Sequence, residues 1–252
     1  MRDSKLSCMV KLTCYHCGGD QLARNSLTQN GKQRYLCSSC GRTSRDAPQP
    51  NGYTEEERER ILRAYHERSS LRGLTRTFGV SRQTVTSWLK KKVLTLPELS
   101  ETLLEPDPAE PSRSVLELDE LWSFVLKRAN QRWIWIALCR ATRQVVAYFI
   151  GDRSEASCQQ LWARIPVAYR QGHCYSDFWK AYQLVIPAEQ HTAAGKETGW
   201  TAHVERWNNI LRQRLGRFGR KSLSFSKSDE MHELCLRLFL HDYNLSLALS
   251  SD

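Results

Sequence analysis

Val115-Leu116-Glu117-Leu118-Asp119-Glu120-Leu121-Trp122-Ser123-Phe124-Val125-Leu126 is the stretch on which the fold turns. Its even positions Leu116, Leu118, Trp122, Phe124 and Leu126 are apolar, whereas its odd positions carry Glu117, Asp119 and Ser123. Side chains of a strand alternate between faces, so the pattern predicts a strand with one face on a core. Two runs follow, Trp133–Cys139 and Val145–Ile150, apolar on both faces as central strands are. The connections at 128–131 and 140–144 are short enough for antiparallel turns. Asp152 and Ser154 then stand as caps for a helix with Cys158, Leu161, Trp162 and Ile165 at helical spacing, stopped by Pro166. A short strand, His173–Ser176, leads into Asp177. Later helices are expected over 201–215, with Val204, Trp207, Leu211 and Leu215 inward, and over 228–243, with Met231, Leu234, Cys235 and Leu238 inward. A meander continued by a helix and a returning strand makes a mixed sheet with helices on its faces.

Three acids on these elements invite a chemical reading. Asp119 sits mid-strand opposite the apolar face, where a charge is costly without a partner or ligand. Asp177 lies just past the fourth strand, a position where ligands bind in open α/β sheets. Glu205 is next to Val204, at the edge of a helix's buried face. If the three converge, they form an oxygen-ligand site for two hard cations, Mg²⁺ or Mn²⁺, suited to phosphodiester chemistry. Arg212 follows Glu205 by two turns on the same face, where a guanidinium suits a phosphate. Taken singly, each acid also reads as a structural acceptor, and Glu205 as an ion-pair partner of Arg206 or Arg212. Glu117 shares the face of Asp119 and rivals it; Glu120 points to the other face. His191, Lys196 and His203 read as surface residues or as contacts to DNA or protons. Arg214, Arg217, Arg220 and Lys221, with Phe218 among them, read as the wall of a DNA channel or as a charged surface.

Upstream, residues 93–114 hold Pro97, Pro106, Pro108 and Pro111 among five acids, and read as a linker. Residues 51–92 read as a helix-turn-helix. Glu55, Glu56 and Glu57 open a first helix with Ile61, Leu62 and Tyr65 inward. A second covers Ser70–Phe78, Gly79 and Val80 turn, and Ser81 caps a third with Val85, Trp88 and Leu89 inward. Arg82, Gln83, Thr84 and Ser87 would then face a major groove, with Lys90, Lys91 and Lys92 near phosphates. Residues 1–50 carry Cys14, Cys17, Cys37 and Cys40 as two C-x-x-C clips, each followed by glycine, Gly18 and Gly41. Four thiolates so spaced fit tetrahedral structural zinc, and so short a segment needs such a clamp. Cys8, Cys139, Cys158, Cys174 and Cys235 are scattered and read as free thiols.

The 252 residues carry a formal net charge of +10. The balance is +10 over residues 1–92, −4 over 93–114 and +4 over 115–252, so the front third attracts a polyanion. No apolar run approaches the ~18 residues of a membrane helix. Residues 1–5 lack a signal-peptide core. The expectation is a cytoplasmic, nucleoid-associated protein with no membrane partner.

Leu118-Asp119-Glu120-Leu121-Trp122, Tyr175-Ser176-Asp177-Phe178-Trp179-Lys180-Ala181-Tyr182, His203-Val204-Glu205-Arg206-Trp207-Asn208-Asn209 and Arg212-Gln213-Arg214-Leu215 resemble bacterial DDE transposases of the insertion-sequence-one family. The resemblance implies three parts: a zinc ribbon, a helix-turn-helix, and an α/β ribonuclease-H-like catalytic domain over 115–252. It makes Asp119, Asp177 and Glu205 the metal triad and Arg212 the basic residue that accompanies it. It implies cleavage at the ends of a mobile element, joining of 3′-hydroxyls to target DNA, double-stranded DNA as partner, and a homodimer or larger assembly. Two other readings share residues 1–92: a DNA-binding repressor with an inactive back half, and a metal-dependent nuclease that does not join strands.

Overall fold

The computed structural model describes residues 12–28, 31–45, 52–104 and 114–249. The chain divides into two compact units, residues 1–54 and 55–252. In the first, β1 (Leu22–Leu27), β2 (Gln33–Cys37) and β3 (Thr43–Arg45) form an antiparallel sheet. Its only buried described side chains are Cys14 and Cys37, so its described residues build no apolar core. Cys8 lies outside the described residues.

The second unit begins with three helices, α1 (Glu55–His66), α2 (Leu71–Phe78) and α3 (Arg82–Leu94). Ser70 and Ser81 cap α2 and α3 by accepting from the N–H groups of Gly73 and Thr84. Gly79 ends α2 at φ 69°, a left-handed conformation that glycine adopts without Cβ strain. Ile61, Leu62, Tyr65, Leu74, Val80, Val85 and Leu89 are buried, while Trp88 is only partly so. The three helices do not stand apart from the rest of the unit. α3 packs on α8 (Asp229–Ala248), Tyr65 Oη lies 3.1 Å from Cys235 Sγ, and His66 Nδ1 lies 2.7 Å from Asp242.

The stretch expected as a linker differs from that expectation where it is described. α3 runs on to Leu94, and residues 99–102 make a 3₁₀ turn packed on the later sheet and helix. Thr102 is buried, and its hydroxyl accepts from Asn244 at 3.0 Å. Residues 105–113, with three of the four prolines, lie outside the described residues.

A five-stranded mixed sheet follows, built from β4 (Leu116–Phe124), β5 (Gln131–Cys139), β6 (Val145–Gly151), β7 (Cys174–Ser176) and β8 (His191–Ala193) in the order β6-β5-β4-β7-β8. The first three form the expected antiparallel meander; β7 runs parallel to β4 and β8 parallel to β7. The even face of β4 packs with α4 (Glu155–Arg164), α5 (Val167–Arg170) and α6 (Lys180–Val185) around Trp135, Leu161, Tyr169 and Tyr182. α7 (Ala202–Arg214) packs on β4 and β5 from the other side, together with α8. Both faces of β4 are therefore covered, and Glu117 and Ser123 on its odd face are buried. Among the described residues no helix is long and apolar enough to cross a membrane, and Cys139, Cys158, Cys174 and Cys235 are buried.

Candidate functional site

β7 pairs with β4 only through Leu116–Cys174 and Glu117–Tyr175, and it ends at Ser176. Continuing that parallel register places Asp119 level with Asp177. Beyond this point β4 has no strand beside it on that flank among the described residues, so carboxylates of either face reach the same opening. Asp119, Glu120 and Asp177 offer oxygens within 4.8 Å of one another. Glu120, disfavoured by strand parity, thus joins the cluster around the open edge. Glu205 lies outside that tight set, but it shares with Asp177 the wall of a cleft of about 290 Å³, along with Arg153, Phe178, Trp179, Lys196 and Thr201. Of the expected acids, then, the structure brings Asp119 and Asp177 into one cluster and places Glu205 with Asp177 in the wall of the cleft.

Each acid is held by neighbours. Asn208 on α7 donates Nδ2 to Asp119 Oδ2 at 2.6 Å. Asp177 Oδ1 accepts from the Trp179 backbone N–H at 2.9 Å, and Glu205 Oε1 accepts from Thr201 Oγ1 at 3.2 Å. Glu120 accepts from Tyr182 Oη at 2.8 Å and pairs with Arg153 at 2.6 Å. Burial, and then the like charges of Glu120, Asp177 and Glu205, push the Asp119 carboxyl up to about 7. Burial also raises Glu120. Asn208 Oδ1 and Arg212 Nε are buried without hydrogen-bond partners among the described residues. Crowded carboxylates that repel one another, beside an orphaned amide oxygen, fit a divalent cation.

A pH dependence follows. Because the Asp119 carboxyl titrates near 7 in the folded chain and near 3.9 when unfolded, the folded state binds more protons between those values. That stabilising contribution is full below about pH 4 and is lost as pH rises through 7. Denaturant unfolding of the metal-free protein should therefore show stability falling from pH 5 to 8 by more in the wild type than in Asp119→Asn. Equal slopes would mean that Asp119 is not crowded as described.

Glu117, the rival of Asp119, has a different occupation. Its carboxylate is fully buried. Oε2 accepts from the backbone N–H groups of His203 and Val204 at 2.9 and 3.1 Å, which seats the start of α7 on β4. Oε1 meets His203 Nδ1 at 2.6 Å and Arg140 Nε at 2.8 Å. Arg140 in turn donates to the Trp200 carbonyl and stacks on Tyr175. This is a helix cap supplied from another element, and it sets the bearing of Glu205 in the same first turn. Glu117→Ala leaves a buried ion pair and two N–H groups unmatched. It is expected to cost roughly 3–5 kcal/mol, nearer the lower figure because Arg140 is partly exposed. Urea unfolding measures this, and a loss under about 1 kcal/mol, the size of an ordinary cap, would remove the assignment.

The expected basic residues divide. Arg212 lies near Asp119 and Arg220, with burial and then Arg220 holding its guanidinium below its usual range. Lys196 lines the cleft. His191 Nε2 bonds Ser176 Oγ at 2.8 Å, tying β8 to β7. Arg214 and Arg217 both have partners within the protein. Arg214 pairs with Glu67 at 2.6 Å and covers Phe239; Arg217 donates to Ser226 at 3.2 Å and lies over Tyr65. On α3, Arg82, Gln83, Ser87 and Lys91 are exposed and Thr84 half so. Lys90 and Lys92 reach Glu230 and Glu59 at 2.8 and 2.9 Å.

Four sulfurs gather in the first unit, with Cys14, Cys17, Cys37 and Cys40 Sγ all within 4.8 Å. Two of the edges, Cys14–Cys40 and Cys17–Cys37, are 3.7 Å. A tetrahedron with Zn–S bonds of ~2.3 Å has edges of ~3.8 Å. Gly18 and Gly41, at φ 71° and 67°, curl the chain so that their N–H groups bond the carbonyls of Cys14 and Cys37. The Cys40 backbone N–H, the largest influence, helps draw the Cys37 thiol down to about 6, favouring the thiolate. The cluster fits zinc.

A larger depression of about 560 Å³ beside β6 and α4 does not compete with the cleft. Its Asp152 is bound by Ser154 and Ser157 and its Asp229 by Arg132.

The IS1 transposase family model matches residues 114–245, the whole span that builds the sheet and its acids. The chain is similar to the insertion element iso-IS1n protein InsB of Shigella dysenteriae, 37% identical over 129 residues, covering 51% of this chain and 95% of that protein. It is similar to the insertion element IS1 protein InsB of Shigella flexneri, 36% identical over 125 residues, covering 50% and 92%. Against the insertion element IS1 4 protein InsB of Escherichia coli (strain K12) the identity is 34% over 125 residues, covering 50% and 72%. On the match to its back half, the chain belongs to the IS1 transposase family.

Proposed function

We propose that this chain binds the terminal inverted repeats of an insertion sequence, cleaves at its ends and joins the 3′-hydroxyls to target DNA. The observation that carries the reading is the meeting of Asp119 and Asp177 at the open flank of β4, with Glu205 on the same cleft wall as Asp177. Divalent cations bound there, Mg²⁺ or Mn²⁺, would activate an attacking hydroxyl and steady the leaving oxygen. The protein's own groups do the positioning. Asn208 fixes Asp119, the Trp179 N–H fixes Asp177, and Glu117 fixes the helix that bears Glu205. Arg212, half-buried beside Asp119 with its Nε unpartnered among the described residues, is placed to meet a phosphate oxygen.

The sheet order and flanking helices support a ribonuclease-H-like domain over residues 115–252. The Ser-capped α3 after the Gly79 turn supports a helix-turn-helix over 51–92, presenting Arg82, Gln83, Thr84, Ser87 and Lys91 to a major groove, with Lys90 and Lys92 flanking. The Cys₄ unit then serves as a structural zinc ribbon. Exposed Arg220 and Lys221 extend the basic path of the half-buried Arg214 and Arg217. Two ends must be held at once, so the working form is a homodimer or larger.

Incubation with terminal-repeat duplex, target DNA and Mg²⁺ tests the reading. Joined products are expected. Nicks alone would favour a nuclease, and bound complexes without any chemistry would favour a repressor.

A further inference from the structure

Arg153 follows the end of β6 and precedes the cap of α4, a loop position with no periodic signal. Its guanidinium is held on three sides. Nε and one terminal nitrogen bond Glu120 Oε1 at 2.8 and 2.6 Å, and Glu120 is itself buried and fixed by Tyr182. Trp133 and Trp179 lie against it, with ring centroids 4.7 and 4.1 Å from its central carbon. The side chain is 36% exposed, in the wall of the cleft that also holds Asp177, Lys196 and Glu205. Stacking fixes the fork before any ligand arrives, so its rotamer entropy is already spent. Trp179 also binds Asp177 through its N–H, so the clamp and the acid move as one turn. Cations on the carboxylates would leave Arg153 and Lys196 as the unbalanced charge of the cleft, positive and matched to a phosphodiester.

We propose that Arg153 contacts the scissile phosphate of the element end, its Trp133–Trp179 sandwich and Glu120 holding the guanidinium in place for that contact. This rests on the cleft being the site of strand cleavage. A phosphate contact differs from a structural role in being lost when one phosphate is made neutral.

The test is a double-substitution cycle on binding, with Ca²⁺ in place of Mg²⁺. The probes are a terminal-repeat duplex and the same duplex with one methylphosphonate at the element–flank junction. For the wild type, neutralising that linkage should weaken binding about tenfold, the size of one charge-assisted contact. Arg153→Ala should weaken binding of the unmodified duplex by a similar factor and lose less than about twofold more on the modified one, since the contact is already gone. An equal loss on both duplexes for wild type and variant overturns the proposal while leaving the cleft reading intact. Wild-type indifference to neutral linkages throughout the junction overturns both. Should Arg153→Ala not fold by circular dichroism, Arg153→Lys runs the same cycle: it keeps the charge but not the planar fork, and undiminished coupling to the junction phosphate would overturn the proposal.

Discussion

Asp177→Asn is expected to lower strand cleavage and joining by roughly 10²–10³-fold or more, the scale of losing one group aimed at the reacting charge. Terminal-repeat binding should change by less than about twofold, well under the 1.4 kcal/mol of a tenfold effect. The substitution is nearly isosteric, and the asparagine oxygen can still accept from the Trp179 N–H, so the turn after β7 is preserved. One of the like charges on Asp119 disappears, so the metal-free variant should unfold no earlier than the wild type. Lost chemistry with undiminished stability separates a reacting group from a structural one. Single-turnover cleavage of labelled duplex, gel shift and thermal unfolding on one preparation give all three readings. Cleavage at wild-type rate would remove Asp177 from the site.

The second large effect belongs to the other end of the chain. Cys37→Ser should release zinc, unfold residues 12–45 and weaken terminal-repeat binding. The physical reason is that, among the described residues, no apolar core holds that unit. Only Cys14 and Cys37 are buried among its described residues, and three short strands whose described residues build no apolar core do not fold alone. Structural zinc in comparable clips contributes about 10–16 kcal/mol of binding energy, and that energy is the folding energy. Zinc content by mass spectrometry and far-ultraviolet circular dichroism before and after chelation follow the first two effects. A variant that loses zinc yet keeps its strands and its DNA affinity would make the clamp dispensable.

The parts legible in the sequence were those set by short-range rules. The Cys-x-x-Cys clips with their glycines, the Ser70 and Ser81 caps, and the β4–β5–β6 meander all depend on neighbours a few residues away. Asp177 was legible because a strand tip is a local feature. Glu120 was not: parity puts it on the far face, and only the early end of β7 at Ser176 lets it reach the opening beside Asp119. Glu117 stayed a rival because its role, capping α7, spans 86 residues of chain. Arg153 gave no signal, since its meaning lies in two indoles and a carboxylate from other elements. β8 was missed because three residues are too few to show a period. Arg214 and Arg217 looked like a surface run, and the contacts that occupy them, with Glu67 and Tyr65, come from the helices ahead of the sheet.

The measurement that bears most directly on this account is anomalous diffraction from crystals of the full chain soaked in Mn²⁺. The expected result is an anomalous peak at bonding distance, about 2.1 Å for hard divalent ions, from the carboxylates of Asp119 and Asp177, with Glu205 turned toward it. Ordered Mn²⁺ elsewhere on the molecule, with these carboxylates left bare at a saturating concentration, would contradict it.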